Sequence, residues 1–103
     1  AAKDVKMNVS QVLSALSEPI RLCAMTIIWD GGEHCVCELM VRLDATQSRM
    51  SRHMSALKAA GLVVDRRDAQ WVRYRRNPDL PGEIARIVDA VVAATGSEGK
   101  AAA

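Results

Sequence analysis

No apolar run in this sequence is long enough to cross a membrane. The longest, over residues 20–29, is interrupted by Arg21 and Thr26 and falls well short of the roughly 20 residues that a helical span needs. The opening Ala1-Ala2-Lys3-Asp4-Val5-Lys6 also lacks the apolar segment of a secretory signal, so a cytoplasmic protein with no membrane partner is expected. Cysteine is scarce and odd in number: three thiols in reducing surroundings favour metal binding or redox chemistry over a disulfide framework. There is no internal repeat, and 103 residues, half of them apolar and a quarter charged, leave room for one ordinary globular domain.

The net charge of +2 is too small to argue for a nucleic acid by itself, but its distribution is uneven. Residues 46–76 carry Arg49, Arg52, Lys58, Arg66, Arg67, Arg73, Arg75 and Arg76 against only Asp65 and Asp68. A polyanion is the natural partner of such a segment.

Helical periodicity organises most of the chain. Val9, Val12, Leu13 and Leu16 form an i, i+3, i+4, i+7 stripe, which predicts a first amphipathic helix over residues 8–16. Ser17-Glu18-Pro19 reads as an N-cap followed by an acid and a proline in the first turn of a second helix, which Asp30-Gly31-Gly32 ends. Val36, Leu39, Met40 and Leu43 mark a third helix, and the polar turn Asp44-Ala45-Thr46 leads into a fourth that stops at Gly61. Helix, short turn, helix is the spacing of a helix-turn-helix. After Gly61 the period shifts to β: residues 62–67 and 71–76 read as a two-stranded hairpin with Trp71, Arg73 and Arg75 on one face of the second strand. Ile84, Ile87, Val88 and Val91 stripe a last helix. A folded domain over residues 8–94 is expected, with disordered tails at 1–7 and 95–103.

The fourth helix has two faces of different chemistry. Met50, Met54, Leu57 and Gly61 fall in one stripe, the expected buried side, with His53 at its edge. Ser48, Arg52, Ser55 and Ala59 point the other way, flanked by Gln47, Ser51 and Lys58, and no acid occurs from residue 45 to 61. Small hydroxyls, one Gln and one Arg can reach base edges without filling a groove, Arg pairing with guanine and Gln with adenine. Gln47, Ser48, Ser51 and Arg52 are therefore candidate base readers, His53 is grouped with them, and Arg66, Arg67, Arg73 and Arg75 are candidate contacts to phosphate or the minor groove. The expected partner is double-stranded operator DNA.

These segments resemble one family. Thr46-Gln47-Ser48-Arg49-Met50-Ser51-Arg52-His53-Met54, followed by Leu57-Lys58-Ala59-Ala60-Gly61-Leu62-Val63, is similar to the recognition helix and the start of the wing in the ArsR/SmtB family of winged-helix repressors. Trp71-Val72-Arg73-Tyr74 resembles the family's returning wing strand and Ser17-Glu18-Pro19-Ile20-Arg21-Leu22 its second helix, so the likeness spans residues 9–92. Cys35-Val36-Cys37-Glu38-Leu39 is similar to the family's thiolate motif for arsenite and antimonite. The resemblance implies a mainly α winged helix-turn-helix with a two-stranded β wing, and a homodimeric repressor released when As(III) or Sb(III) binds. No cofactor is expected for DNA binding itself.

Thiolates suit such soft ions. Cys35 and Cys37 are the candidate ligands. In arsenite repressors of the matching kind a third Cys can follow one turn later, where this chain has Met40, so Cys23, a small external thiol, or an organoarsenical that needs only two thiols are the alternatives. Cys23 follows Ile20 and precedes Ile27 at helical spacing, which predicts a place in the apolar stripe. The last helix contains Glu83 and Asp89 but no His, so a zinc site between last helices is not expected. Residues i and i+2 of a helix lie about 200° apart, so binding at Cys35 and Cys37 is expected to unwind the first turn of the third helix. A thiol redox sensor of the same fold is the competing reading. A thiol enzyme is not expected: a phosphatase-like loop needs five residues between Cys and Arg, whereas six separate Cys35 from Arg42 and four separate Cys37 from it.

Overall fold

A computed structural model of the chain describes residues 7–102, with side chains to residue 96. Five helices and three strands follow in the order α1 (Val9–Leu16), α2 (Pro19–Ile28), β1 (His34–Cys35), α3 (Val36–Leu43), α4 (Gln47–Ala59), β2 (Val63–Asp68), β3 (Trp71–Arg76) and α5 (Gly82–Ala102). The winged helix-turn-helix is as the sequence indicates. Residues 1–6 and 103, part of the expected tails, lie outside the described residues. At the other end α5 continues to Ala102, past the stop expected at Thr95, in a stretch without proline to interrupt the backbone ladder.

Capping chemistry fixes the helix ends. Glu18, rather than Ser17, caps α2, accepting from the backbone N–H of Ile20 and Arg21, with Pro19 in the first turn where its missing donor costs nothing. Thr46 caps α4 by accepting from Arg49 N–H. The end of α4 is a Schellman closure: Gly61 takes φ +85°, its N–H donates to the Lys58 carbonyl, and Leu62 N–H donates to the Leu57 carbonyl.

The core is a single cluster in which Val12, Met25, Ile28, Leu39, Met50, Met54, Leu57, Leu62, Val63 and Val88 are fully buried. Met50, Met54 and Leu57 are the α4 stripe that the sequence assigns inward, and their burial leaves the opposite face of α4 open. The α1 and α5 stripes each divide. Val12, Leu16, Ile84 and Val88 close the core, whereas Val9 and Leu13 remain 46% and 48% exposed.

The wing is a hairpin with one strand more than expected. Its sheet has the order β1-β3-β2, all antiparallel, and β1 pairs His34 with Tyr74 and Cys35 with Arg73. A two-residue strand carries no periodicity, so this pairing is invisible in the sequence. At the wing tip Asp68 pairs with Trp71 across Ala69-Gln70, and Ala69 takes φ +59°. A Cβ is disfavoured in that region. Ala69→Gly is expected to raise stability by about 0.5–1 kcal/mol in urea unfolding, since the relieved clash exceeds the extra chain entropy of glycine.

Candidate DNA-reading face and thiol site

On α4 the open face presents Gln47, Ser48, Arg49, Arg52 and Ser55 as exposed side chains, with Ser51 half-buried beside them. Arg49 and Arg52 have no ion-pair partner among the described residues. Together with Arg21, His53 and Glu18 they line a cleft of about 310 Å³ between α4 and the start of α2. His53 is turned toward α2, not toward the open face: Arg21 Nη1 lies 3.3 Å from its Nδ1 and Glu18 Oε1 3.7 Å away. His53, at the edge of the buried stripe, thus ties α4 to α2 and lines the same cleft as Arg49 and Arg52. Burial works against the Glu18 charge, but the N–H groups of Arg21 and Ile20 and the facing His53 hold its carboxyl below the usual range. Arg21 is a contributor that the sequence did not single out; only the fold brings it beside Arg49 and Arg52.

The wing arginines do not form one surface. Strand pairing puts Arg66, Arg73 and Arg75 on the face away from α4, and Arg67 on the face it shares with Tyr74 and Asp65. Two of the four are already engaged. Arg66 grips Glu33 with two bonds of 2.6 and 2.8 Å, and Arg73 donates to Asp68 at 2.7 Å. Arg67 and Arg75 are exposed without an ion-pair partner among the described residues. Lys58, at the end of α4, is paired to Asp65 of β2.

The thiols sit where wing and helix-turn-helix meet. Cys35 belongs to β1 and is the N-cap of α3, with extended backbone at φ −72° and ψ 144°. Cys37 lies in the first turn. Because Cys35 is outside the helix, the two sulfurs meet directly, as a disulfide with Cα atoms 5.2 Å apart, and the expected unwinding of α3 is not needed. The Cys37 N–H also donates to Cys35 Sγ at 3.3 Å, an ordinary helix-cap interaction made with sulfur. Cys35 is buried and Cys37 half-buried.

Cys23 is elsewhere. It is exposed on α2, contrary to its expected place in the apolar stripe. The buried line of that helix runs through Ala24, Met25 and Ile28, and at 100° per residue Cys23 falls on the opposite side.

His34 is 8% exposed. Its Nε2 faces Asp30 and its Nδ1 faces Glu38, each at 3.0 Å. Carboxylates only accept, so an imidazole that makes both contacts at once is the doubly protonated form. Burial alone would push the imidazole down, but the hydrogen bonds to Asp30 and Glu38 outweigh it and raise the group above its ordinary value. For Glu38, burial opposes and His34 and Arg42 prevail, so its carboxyl is held low; His34 and the Gly32 N–H do the same for Asp30. A raised imidazole stabilises the fold fully below its unfolded value and loses that contribution as pH rises through the folded one, while the lowered carboxylates stabilise above their unfolded values and lose it in acid. Urea unfolding is expected to show wild type losing stability from pH 6 to pH 9 relative to His34→Gln. Parallel pH profiles for the two proteins would show that His34 makes no such contribution. The spacing Asp30, His34, Glu38, four residues apart each time, was the available signal.

Residues 7–64 match the family described as bacterial regulatory protein, arsR family. The chain is 41% identical to an arsenic resistance transcriptional regulator of Pseudomonas putida, over 81% of its own length and 72% of that protein. It is 38% identical to the arsenical resistance operon repressor of Escherichia coli, over 77% and 68% of the two. Among solved structures, the homodimeric winged helix-turn-helix DNA-binding domain of a possible ArsR-family regulator from Mycobacterium bovis superposes with a TM-score of 0.70 at 26% identity, covering 87% of this chain and 80% of that one. No single helix among the described residues is long and apolar enough to cross a membrane.

Proposed function

Because this chain belongs to the arsR family of bacterial regulatory proteins, and is a winged helix-turn-helix transcriptional repressor, we propose that it binds operator DNA as a homodimer and is released when As(III) or Sb(III) binds the thiolates of Cys35 and Cys37. The observation that carries this reading is the meeting of the two sulfurs at the start of α3. That point has two outlets. Through β1, Cys35 is paired with Arg73 of the wing, and through α3 the site runs to the turn Asp44-Ala45-Thr46 and so to α4.

On the DNA side, Gln47, Ser48, Ser51 and Arg52 read bases, while Arg67 and Arg75 take phosphates. Arg66 and Arg73 join only if they leave Glu33 and Asp68. Dimerisation covers the apolar edges left by Val9 and Leu13 on α1, and the homodimeric relative from Mycobacterium bovis supports that assembly. The inducer acts by differential affinity: it stabilises an arrangement of β1 and α3 in which α4 and the wing no longer match one duplex, so DNA and inducer weaken each other.

The close approach of Cys35 and Cys37, with Cα atoms 5.2 Å apart, favours one second reading, a repressor switched by thiol oxidation. Fluorescence anisotropy of a duplex selected by this protein separates the two. Arsenite or antimonite, added with millimolar glutathione, is expected to release the DNA, and zinc is not. Release by peroxide but by neither metalloid would replace the metalloid reading with the redox one.

A further inference from the structure

We propose that Cys35 and Cys37 take a trivalent arsenic whose third substituent is already in place, either an arsenic–carbon bond or a small external thiol, and that the ligand needing no helper is a monosubstituted organoarsenical. The proposal rests on the reading of these two thiols as inducer ligands and follows from what surrounds them.

Trivalent arsenic forms three bonds, and this chain brings two sulfurs to the place. Its remaining thiol, Cys23, is exposed on the far side of α2. One turn after Cys37 stands Met40, half-buried against the core, and a thioether has no proton to exchange for arsenic. Both nitrogens of His34, the nearest imidazole in sequence, are committed to Asp30 and Glu38. Among the described residues no three His, Cys, Asp or Glu side chains gather into a set able to hold a metal ion. Among the described residues a ligand that demands three protein sulfurs is therefore served poorly, and one that demands two is served fully.

The chemistry balances without an oxidant. A monosubstituted arsenical in its dihydroxy form loses two As–O bonds and gains two As–S bonds; each thiol proton leaves with a hydroxide as water, and arsenic stays trivalent. Arsenite bound in the same way keeps one As–O bond, which an external thiol can replace with loss of a third water.

The test uses the reduced full chain, a phosphine as the reductant so that no stray thiol is present, and three additions: phenylarsine oxide, arsenite alone, and arsenite with glutathione. Adduct mass is read by native mass spectrometry and DNA release by anisotropy. Phenylarsine oxide is expected to form one adduct per chain and release DNA; arsenite alone should need at least roughly tenfold more, and glutathione should recover most of the difference as a ternary adduct. Cys23→Ser should change none of these. Arsenite alone matching phenylarsine oxide, or a loss of arsenite response in Cys23→Ser, would overturn the proposal while leaving Cys35 and Cys37 as ligands. If none of the three additions forms an adduct dependent on Cys35 and Cys37, the underlying reading fails instead.

Discussion

Replacing either Cys35 or Cys37 with serine is expected to abolish arsenical-induced release while leaving DNA affinity in the absence of arsenic within about twofold, since neither residue lies on the open face of α4. A single thiol holds a soft trivalent centre by one bond and loses it to competing thiols, whereas two adjacent thiols close a chelate. Couplings of this kind span about 1–3 kcal/mol, so roughly 5- to 150-fold in DNA affinity is at stake. The serine variants also test the site cleanly. Cys35 is an N-cap whose sulfur accepts from the Cys37 N–H, and serine is a better cap residue, so α3 keeps its start. Anisotropy titrations of wild type and both variants, with and without phenylarsine oxide, check this. A full response in either variant would move the ligand site elsewhere.

Arg52→Ala is expected to weaken operator binding by about 1–3 kcal/mol and binding to random duplex far less, the pattern of a lost base contact. Arg52 is exposed, has no ion-pair partner among the described residues, and sits at the centre of the open face of α4. The wing should behave differently. Arg67→Ala and Arg75→Ala should weaken operator and random duplex alike and reduce the salt slope by about one each, as lost phosphate contacts do. Arg66→Ala should do less, because Glu33 already holds that guanidinium by two bonds. Titrations at several salt concentrations separate these cases. Equal losses on operator and random DNA for Arg52→Ala would demote it to a backbone contact.

The readable parts of the fold are those with a period. Met50, Met54 and Leu57 recur at helical spacing and are buried, and the polar face of α4 follows by exclusion. Thr46 and Gly61 bound that helix by local chemistry, which a sequence displays directly. What escaped has causes that are not local. Cys35 leaves the helix where its backbone pairs with Arg73 of the distant β3, and outside the helix its sulfur can meet that of Cys37. Glu33 and Arg66 are separated by 33 residues, so nothing in the charge pattern shows that a wing arginine is engaged. Cys23 shows a different failure. Ile20 and Ile27 define a stripe, but both are only half-buried, and the true inward line is offset toward Met25 and Ile28.

The most direct measurement is the closed thermodynamic cycle between arsenical and DNA. Operator affinity is measured with and without bound phenylarsine oxide, and phenylarsine oxide affinity with and without bound operator. Both pairs are expected to differ by the same factor, about 5- to 150-fold, and that factor should fall to one in Cys35→Ser and Cys37→Ser. An arsenical that binds free and DNA-bound protein equally tightly, with operator affinity unchanged, would contradict the coupling of this thiol pair to DNA release.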